Sequence, residues 1–159
     1  MHEHHADAHD HDRADLSLNA LALAATIHCL TGCAIGEVLG MVLGTAFGWT
    51  NGATVVASIL LAFVFGYGLT SLPLLRSGMS LPQVAPLAFA SDTLSITTME
   101  IVDTLIVLVI PGALDAGLTD PLFWGSLAVA LAIAGVAAYP VNRSLIARGK
   151  GHAVMHGLH

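Results

Sequence analysis

The sequence predicts an all-α, polytopic membrane protein with four transmembrane helices and both termini in the cytoplasm. The composition is the first reason, because 55% of the 159 residues are hydrophobic and only 10% are charged. A soluble domain carries about 25% charged residues, so this chain has too few to cover a surface that faces water. The second reason is that the apolar residues form long spans without the alternation of a β-barrel strand.

Turn-forming segments divide the chain into four hydrophobic spans between two tails. The spans cover residues 16–47, 53–75, 87–110 and 122–146, and the segments between them are 48–52, 76–86 and 111–121. Each span has at least ~20 residues, which is enough for a helix to cross a ~30 Å hydrocarbon core. We therefore expect a His/Asp-rich disordered cytoplasmic tail at 1–15, a four-helix transmembrane domain at 16–147, and a His-containing cytoplasmic tail at 148–159.

The basic residues predict the orientation. All five lie in the tails, in the loop after the second span or near the end of the fourth span: Arg13, Arg76, Arg143, Arg148 and Lys150. The loops after the first and third spans contain none. Because basic residues accumulate on the cytoplasmic side of a membrane, both termini are expected there.

The first span contains reactive side chains in the segment HCLTGCAIGEVLGM, which runs from His28 to Met41. Cys29, Cys33, Glu37 and Met41 are spaced four residues apart, so each lies about 40° around the helix from the last. Glycines at the same spacing form a neighbouring stripe that predicts close helix packing. An ionised carboxylate inside a membrane is costly, so Glu37 indicates a function.

The third span contains a second unusually polar segment, SDTLSITTMEIVDT. Asp92, Met99 and Asp103 fall within about 40° of one another on a helix, and Glu100 lies on the neighbouring stripe with Thr97. With Glu37, this places four acids in the membrane without a lysine or arginine to pair with them. Such acids must be protonated, hydrated or neutralised by a bound cation.

The first and third spans should run in the same direction. When their midpoints are matched, Cys33 lies near the level of Met99 and Glu37 near the level of Asp103. Sulfur donors favour Cu(I), and imidazole suits copper or zinc, so copper is the expected metal and zinc the alternative. The predicted metal ligands are Cys29, Cys33, His28, Met41, Met99 and Glu37. The predicted ion pathway consists of Glu37, Asp92, Glu100, Asp103 and Thr97.

The segments HCLTGCAIGEVLGM and SDTLSITTMEIVD resemble the DUF4396 family of small bacterial and archaeal membrane proteins. The resemblance covers about residues 21–148, and it implies a location in the bacterial or archaeal cytoplasmic membrane. The family name carries no activity, so the resemblance supports the choice of residues rather than a mechanism.

The N-terminal tail, MHEHHADAHDHDRAD, lies outside that resemblance. Its histidines alternate with acids, a composition that binds copper, zinc or nickel weakly. The residues predicted to capture metal are His2, His4, His5, His9 and His11. A solvated terminus without a function is the competing interpretation.

The favoured function is a homo-oligomeric membrane transporter or channel, not an enzyme, that binds and conducts Cu(I). Its expected partners are the lipid bilayer, the metal ion and further copies of itself; no basic patch predicts nucleic-acid binding. A channel or proton-linked transporter for a harder cation, with the sulfurs as packing, is the first alternative. A membrane thiol or metal redox protein is the second, although cysteines at i and i+4 of one helix are poorly placed for a disulfide.

Overall fold

The computed structural model describes the backbone of residues 3–148 and the side chains of residues 17–148. It contains four long helices: α1 (Glu3–Phe47), α2 (Asn51–Arg76), α3 (Leu81–Val109) and α4 (Pro121–Ala147). A short 3-10 helix, Ala113–Asp115, lies between α3 and α4. Helix α1 begins inside the segment that was predicted as a disordered tail. The side chains of the five tail histidines lie outside the described residues, so metal capture by this tail stays a prediction.

Three helices of the described chain are long and apolar enough to cross a membrane: Ser17–Phe47, Asn51–Arg76 and Pro121–Ala147. The all-α fold and the membrane class are therefore confirmed. Helix α3 has the necessary length, with 29 residues, but it carries Asp92, Glu100 and Asp103 and is not among the three. Its passage through the membrane and the cytoplasmic location of both termini stay predictions.

The predicted loop at 76–86 was too long, because α3 already begins at Leu81. The segment contains two prolines, which commonly indicate a loop: Pro82, and Pro86, which lies inside the helix. Pro82 lies in the first turn of the helix, where a backbone N–H has no helical partner in any case. The Ser80 backbone N–H donates to the Gln83 side-chain oxygen (2.9 Å), which caps the helix start. Helix-capping geometry therefore overrides the proline signal here.

Helices α2 and α4 also begin earlier than predicted, again at capping residues. The Thr50 hydroxyl accepts a hydrogen bond from the Ala53 backbone N–H (3.3 Å), so α2 begins at Asn51. The Asp120 carboxylate accepts one from the Leu122 N–H (2.9 Å), and α4 begins at Pro121. Both caps satisfy backbone donors that a helix start leaves unpaired.

The glycine stripe of α1 packs against α2, as the spacing predicted. A Cβ atom added to Gly32 would lie 2.8 Å from the Gly66 Cα, and one added to Gly36 would lie 2.5 Å from the Ala62 Cα. Gly40 and Gly44 meet Ser58 and Thr54 in the same way. The absence of a side chain thus lets the two backbones approach closely. The glycine stripe therefore packs against another helix of the same chain.

Hydrogen bonds join the end of α4 to the beginning of the membrane span of α1. The Asn142 side-chain amide donates to the buried Thr26 hydroxyl (2.9 Å), and the Arg143 Nε donates to the Asn19 side chain (2.7 Å). Helix α1 therefore packs between α2 and α4. Its remaining face meets α3 across the bundle interior.

Candidate functional site

Polar side chains of α1 and α3 meet in pairs along the middle of the bundle. Glu37 lies against Asp103, Cys33 against Glu100, and Cys29 against Ser95. His28 and Asp92 are neighbours one further turn along. Residue numbers rise together on the two helices, so α1 and α3 run parallel as predicted.

We call the eight residues of these four pairs the polar file: His28, Cys29, Cys33, Glu37, Asp92, Ser95, Glu100 and Asp103. From Asp92 to Asp103 the polar file extends about 16 Å, at ~1.5 Å per residue.

The four acids of the polar file lack a full set of partners, and three of them are buried residues while Glu37 is half-buried. Asp92, Glu100 and Asp103 are only 5%, 6% and 7% exposed. One carboxyl oxygen in each of them, and one in Glu37, has no hydrogen-bond partner among the described residues. Burying such groups without compensation costs several kcal/mol each, of the order ~2–7 kcal/mol for a neutral polar group. The polar file therefore contains carboxyl oxygens whose hydrogen-bonding capacity the described residues do not fill.

The sulfur atoms occupy the centre of the polar file and the apolar layer beside it. Cys29, Cys33 and Met99 belong to one buried cluster with Ala62, Ile96, Ala134 and Ala138. Both cysteines are free thiols. Cys33 and Met99, which the sequence predicts at one level, thus belong to the same cluster, and a shared metal site stays a prediction.

Met41 lies apart from the other sulfur atoms. It packs against a second buried cluster, which consists of Ala116, Phe123 and Leu127. Across the described part of the chain, no group of three or more His, Cys, Asp and Glu side chains is arranged to hold a metal ion. The soft donors are therefore neighbours in the bundle without forming a closed coordination shell.

A cavity of about 450 Å³ begins at the polar file. Its polar base consists of Glu37, Glu100, Asp103 and Thr104, and its other end is lined by Trp49, Asn51 and Asp115. Those three residues belong to the α1–α2 connection, the start of α2 and the α3–α4 connection, so the cavity extends toward the end of the bundle away from the termini. None of the described residues that line it is basic.

Asp92 lies at the other end of the polar file and does not line the cavity. It accepts a hydrogen bond from the Ser91 hydroxyl (2.9 Å) and lies beside Thr70 of α2. The Nε2 atom of His28 is buried without a hydrogen-bond partner among the described residues. At this end of the file Asp92 is buried and His28 is half-buried.

The structure adds Ser95 and Thr70 to the residues that the sequence singled out. Ser95 is fully buried beside Cys29, and Thr70 is 3% exposed. Neither could be recognised from the sequence, because serine and threonine in membrane helices commonly bond their own backbone. Thr97, by contrast, is half-buried and is not a cavity residue.

The fold and the site define a small helical membrane protein with an acidic, sulfur-containing interior. Residues 19–151 match the family described as "Domain of unknown function (DUF4396)", and the chain belongs to this family. The resemblance of its two polar segments is thereby confirmed. Comparisons with curated proteins and with solved structures find no match.

Proposed function

We propose that the protein is a membrane transporter or channel that passes a cation along the polar file. The observation that carries this proposal is the meeting of three buried acids and the half-buried Glu37 between α1 and α3, with no lysine or arginine among them. Intramembrane acids of this kind commonly mark ion or proton pathways. A purely structural contact would not require carboxyl oxygens without partners.

The route begins at the cavity. Glu37, Glu100 and Asp103 line its base, so a cation that enters from the Trp49 end meets three carboxyl groups first. Glu100 also lies against Cys33, which makes it the link between the acids and the thiols. His28 and Asp92 would bind the cation last, at the end of the polar file that is farthest from the cavity.

Cu(I) is the cation that this order of groups favours. Thiolates and thioethers are soft ligands that select Cu(I), and Cys33, Cys29 and Met99 come directly after the acids. Cu(I) is satisfied by two or three such ligands, so it does not require the closed shell that a structural zinc site has. Zinc is the alternative metal. The acids would attract the cation, and the sulfur atoms would select it.

A harder cation or a proton is the second candidate. The observation that favours it is that Cys29 and Cys33 pack in an apolar cluster, while no set of three donors is arranged around one point in residues 17–148. In this case the carboxyl groups carry the ion, and the sulfur atoms only fill space.

Binding of Cu(I) by matched variants separates the two candidates. We would titrate the full chain, the double variant Cys29→Ser with Cys33→Ser, and Met41→Leu against a Cu(I) chelator, with helical content as the control for folding. The tail histidines are the same in every variant, so any Cu(I) that they bind cancels when the affinities are compared. The first candidate predicts that the double variant loses roughly tenfold or more in affinity, as ligand-shell changes commonly do.

Met41→Leu should change the affinity little, because Met41 packs away from the cysteines. A folded double variant that binds Cu(I) as tightly as the parent would refute the copper proposal in favour of the harder cation. Assembly into a homo-oligomer and cytoplasmic termini remain parts of the proposal.

A further inference from the structure

The cavity is larger than an inorganic cation needs. Its volume of about 450 Å³ lies within the range of roughly 300–1,000 Å³ that is typical of small-molecule sites. A metal ion that passes through the polar file would occupy only a small part of it. The remaining wall must be contacted by water or by an organic ligand.

Most of the wall is apolar. It is built from side chains of all four helices and of the 3-10 helix, among them Met41, Val55, Ile59, Val107, Leu114 and Phe123. The indole ring of Trp49 lies at the end toward the loops. Such a surface gains free energy, about 25 cal/mol per Å², when an apolar group displaces water from it.

The base of the cavity is acidic, and its acids are prepared for a positive charge. Glu100 and Asp103 are each more than nine-tenths buried and line the cavity, and each has one carboxyl oxygen without a hydrogen-bond partner among the described residues. An anion would be repelled by this base, and a neutral apolar molecule would leave these oxygens unpaired. An inorganic cation would satisfy the base but leave the apolar wall against water.

We propose that this cavity binds an amphipathic organic cation, an ammonium or phosphonium that carries apolar groups. Its charge would lie near Glu100 and Asp103, and its apolar groups would pack against the wall formed by α2 and α3. Charge complementarity and the apolar lining select this class together. The proposal goes beyond transport of an inorganic cation and does not require the cysteines.

Tetraphenylphosphonium is a suitable probe because it combines one delocalised charge with four apolar rings. We would measure its binding to the full chain in detergent micelles by equilibrium dialysis. Saturable binding is expected, weakened roughly tenfold, or by about 1.4 kcal/mol, in each of the isosteric variants Glu100→Gln and Asp103→Asn. Asp92→Asn removes an equally buried acid that does not line the cavity, so it should leave this affinity unchanged.

Tryptophan fluorescence locates the bound probe. Trp49 lines the cavity, whereas Trp124 lies outside it and donates from its indole N–H to the Leu118 carbonyl (2.9 Å). Quenching by tetraphenylphosphonium should therefore disappear in Trp49→Phe and persist in Trp124→Phe. Binding itself should survive both substitutions.

Neutral triphenylphosphine oxide controls for nonspecific partition into apolar regions. Equal binding of the neutral and the charged compound, or parent-like binding by both acid variants, would overturn the proposal. Cu(I) titration of the cysteine variants tests the proposed transport function separately, because Cys29 and Cys33 are not cavity residues. Parent-like Cu(I) binding by the cysteine variants would refute the copper proposal, and parent-like probe binding by the acid variants would refute this one, so the two failures are distinguishable.

Discussion

The close contact between α1 and α2 predicts that one added methyl group, in Gly36→Ala, lowers the free energy of unfolding. A Cβ atom at Gly36 would lie 2.5 Å from the Ala62 Cα and 2.8 Å from the Leu61 carbonyl carbon. Carbon atoms prefer separations of about 3.5–4.0 Å, so the helices would have to move apart by roughly 1 Å. The atoms in the way belong to the backbone and cannot turn aside as a side chain can.

Gly68 provides a matched control on the exposed face of α2. A Cβ atom at Gly68 would meet nothing within 4 Å. Alanine is favoured over glycine in a helix by about 1 kcal/mol, and this gain applies to both sites. The difference between Gly36→Ala and Gly68→Ala therefore isolates the steric cost, which we expect to be about 2–3 kcal/mol, in the upper part of the range for overpacking.

The assay is unfolding in mixed micelles, followed by the loss of helical circular dichroism as the fraction of denaturing detergent rises. Gly68→Ala should unfold at or above the midpoint of the parent, and Gly36→Ala well below it. Gly66→Ala should fall between them, because its added carbon would meet the flexible end of the Ile96 side chain. If Gly36→Ala were as stable as Gly68→Ala, the inferred approach of the two backbones would be wrong.

Three further predictions concern topology, charge and helix association. Single cysteines at Asn51 and Ser80, in a background without Cys29 and Cys33, should be labelled by an impermeant reagent from opposite sides; labelling from one side would exclude a membrane-spanning α2. Glu37→Gln should keep the fold, because it removes a costly charge, and should weaken cation binding; unfolding with unchanged binding by the folded fraction would make Glu37 structural. Asn142→Leu breaks the buried hydrogen bond to Thr26 and should cost about 0.6–1.7 kcal/mol in mixed-micelle unfolding; no loss would show that this bond does not hold α4 to α1.

The meeting of α1 and α3 could be predicted because it depends on helix periodicity, on the number of spans and on the levels of the side chains along them. Cys29, Cys33 and Glu37 share a face by their spacing, and the parallel direction of the two helices follows from the number of spans between them. Matching the levels correctly paired Glu37 with Asp103. The immediate neighbour of Cys33, however, is Glu100; Met99 belongs to the same cluster. Matching the midpoints of two spans gives the height of each side chain but not the rotation of each helix about its own axis, so it does not fix which side chains face each other.

The cavity could not be predicted from the sequence. It is formed jointly by four helices and the α3–α4 connection, and two of its lining residues are joined by the hydrogen bond from the Asn51 amide to the Asp115 carboxylate (2.7 Å). Such contacts join residues far apart in the chain. The start of α3 was misjudged for a different reason: Pro82 and Pro86 were interpreted as loop residues, although Pro82 lies in the first helical turn, where proline is well accommodated, and Pro86 lies inside the helix.

Because of the position of Glu100, its substitution is the most direct test of whether a cation passes along the polar file. Glu100 lines the cavity and lies against both Asp103 and Cys33, so on the proposed path a cation would contact Glu100 between the acids and the thiols. The decisive measurement is Cu(I) flux into proteoliposomes that contain the parent or the isosteric variant Glu100→Gln at equal density. The proposed path predicts flux by the parent and its loss in the variant, whereas parent-like flux through Glu100→Gln would contradict it.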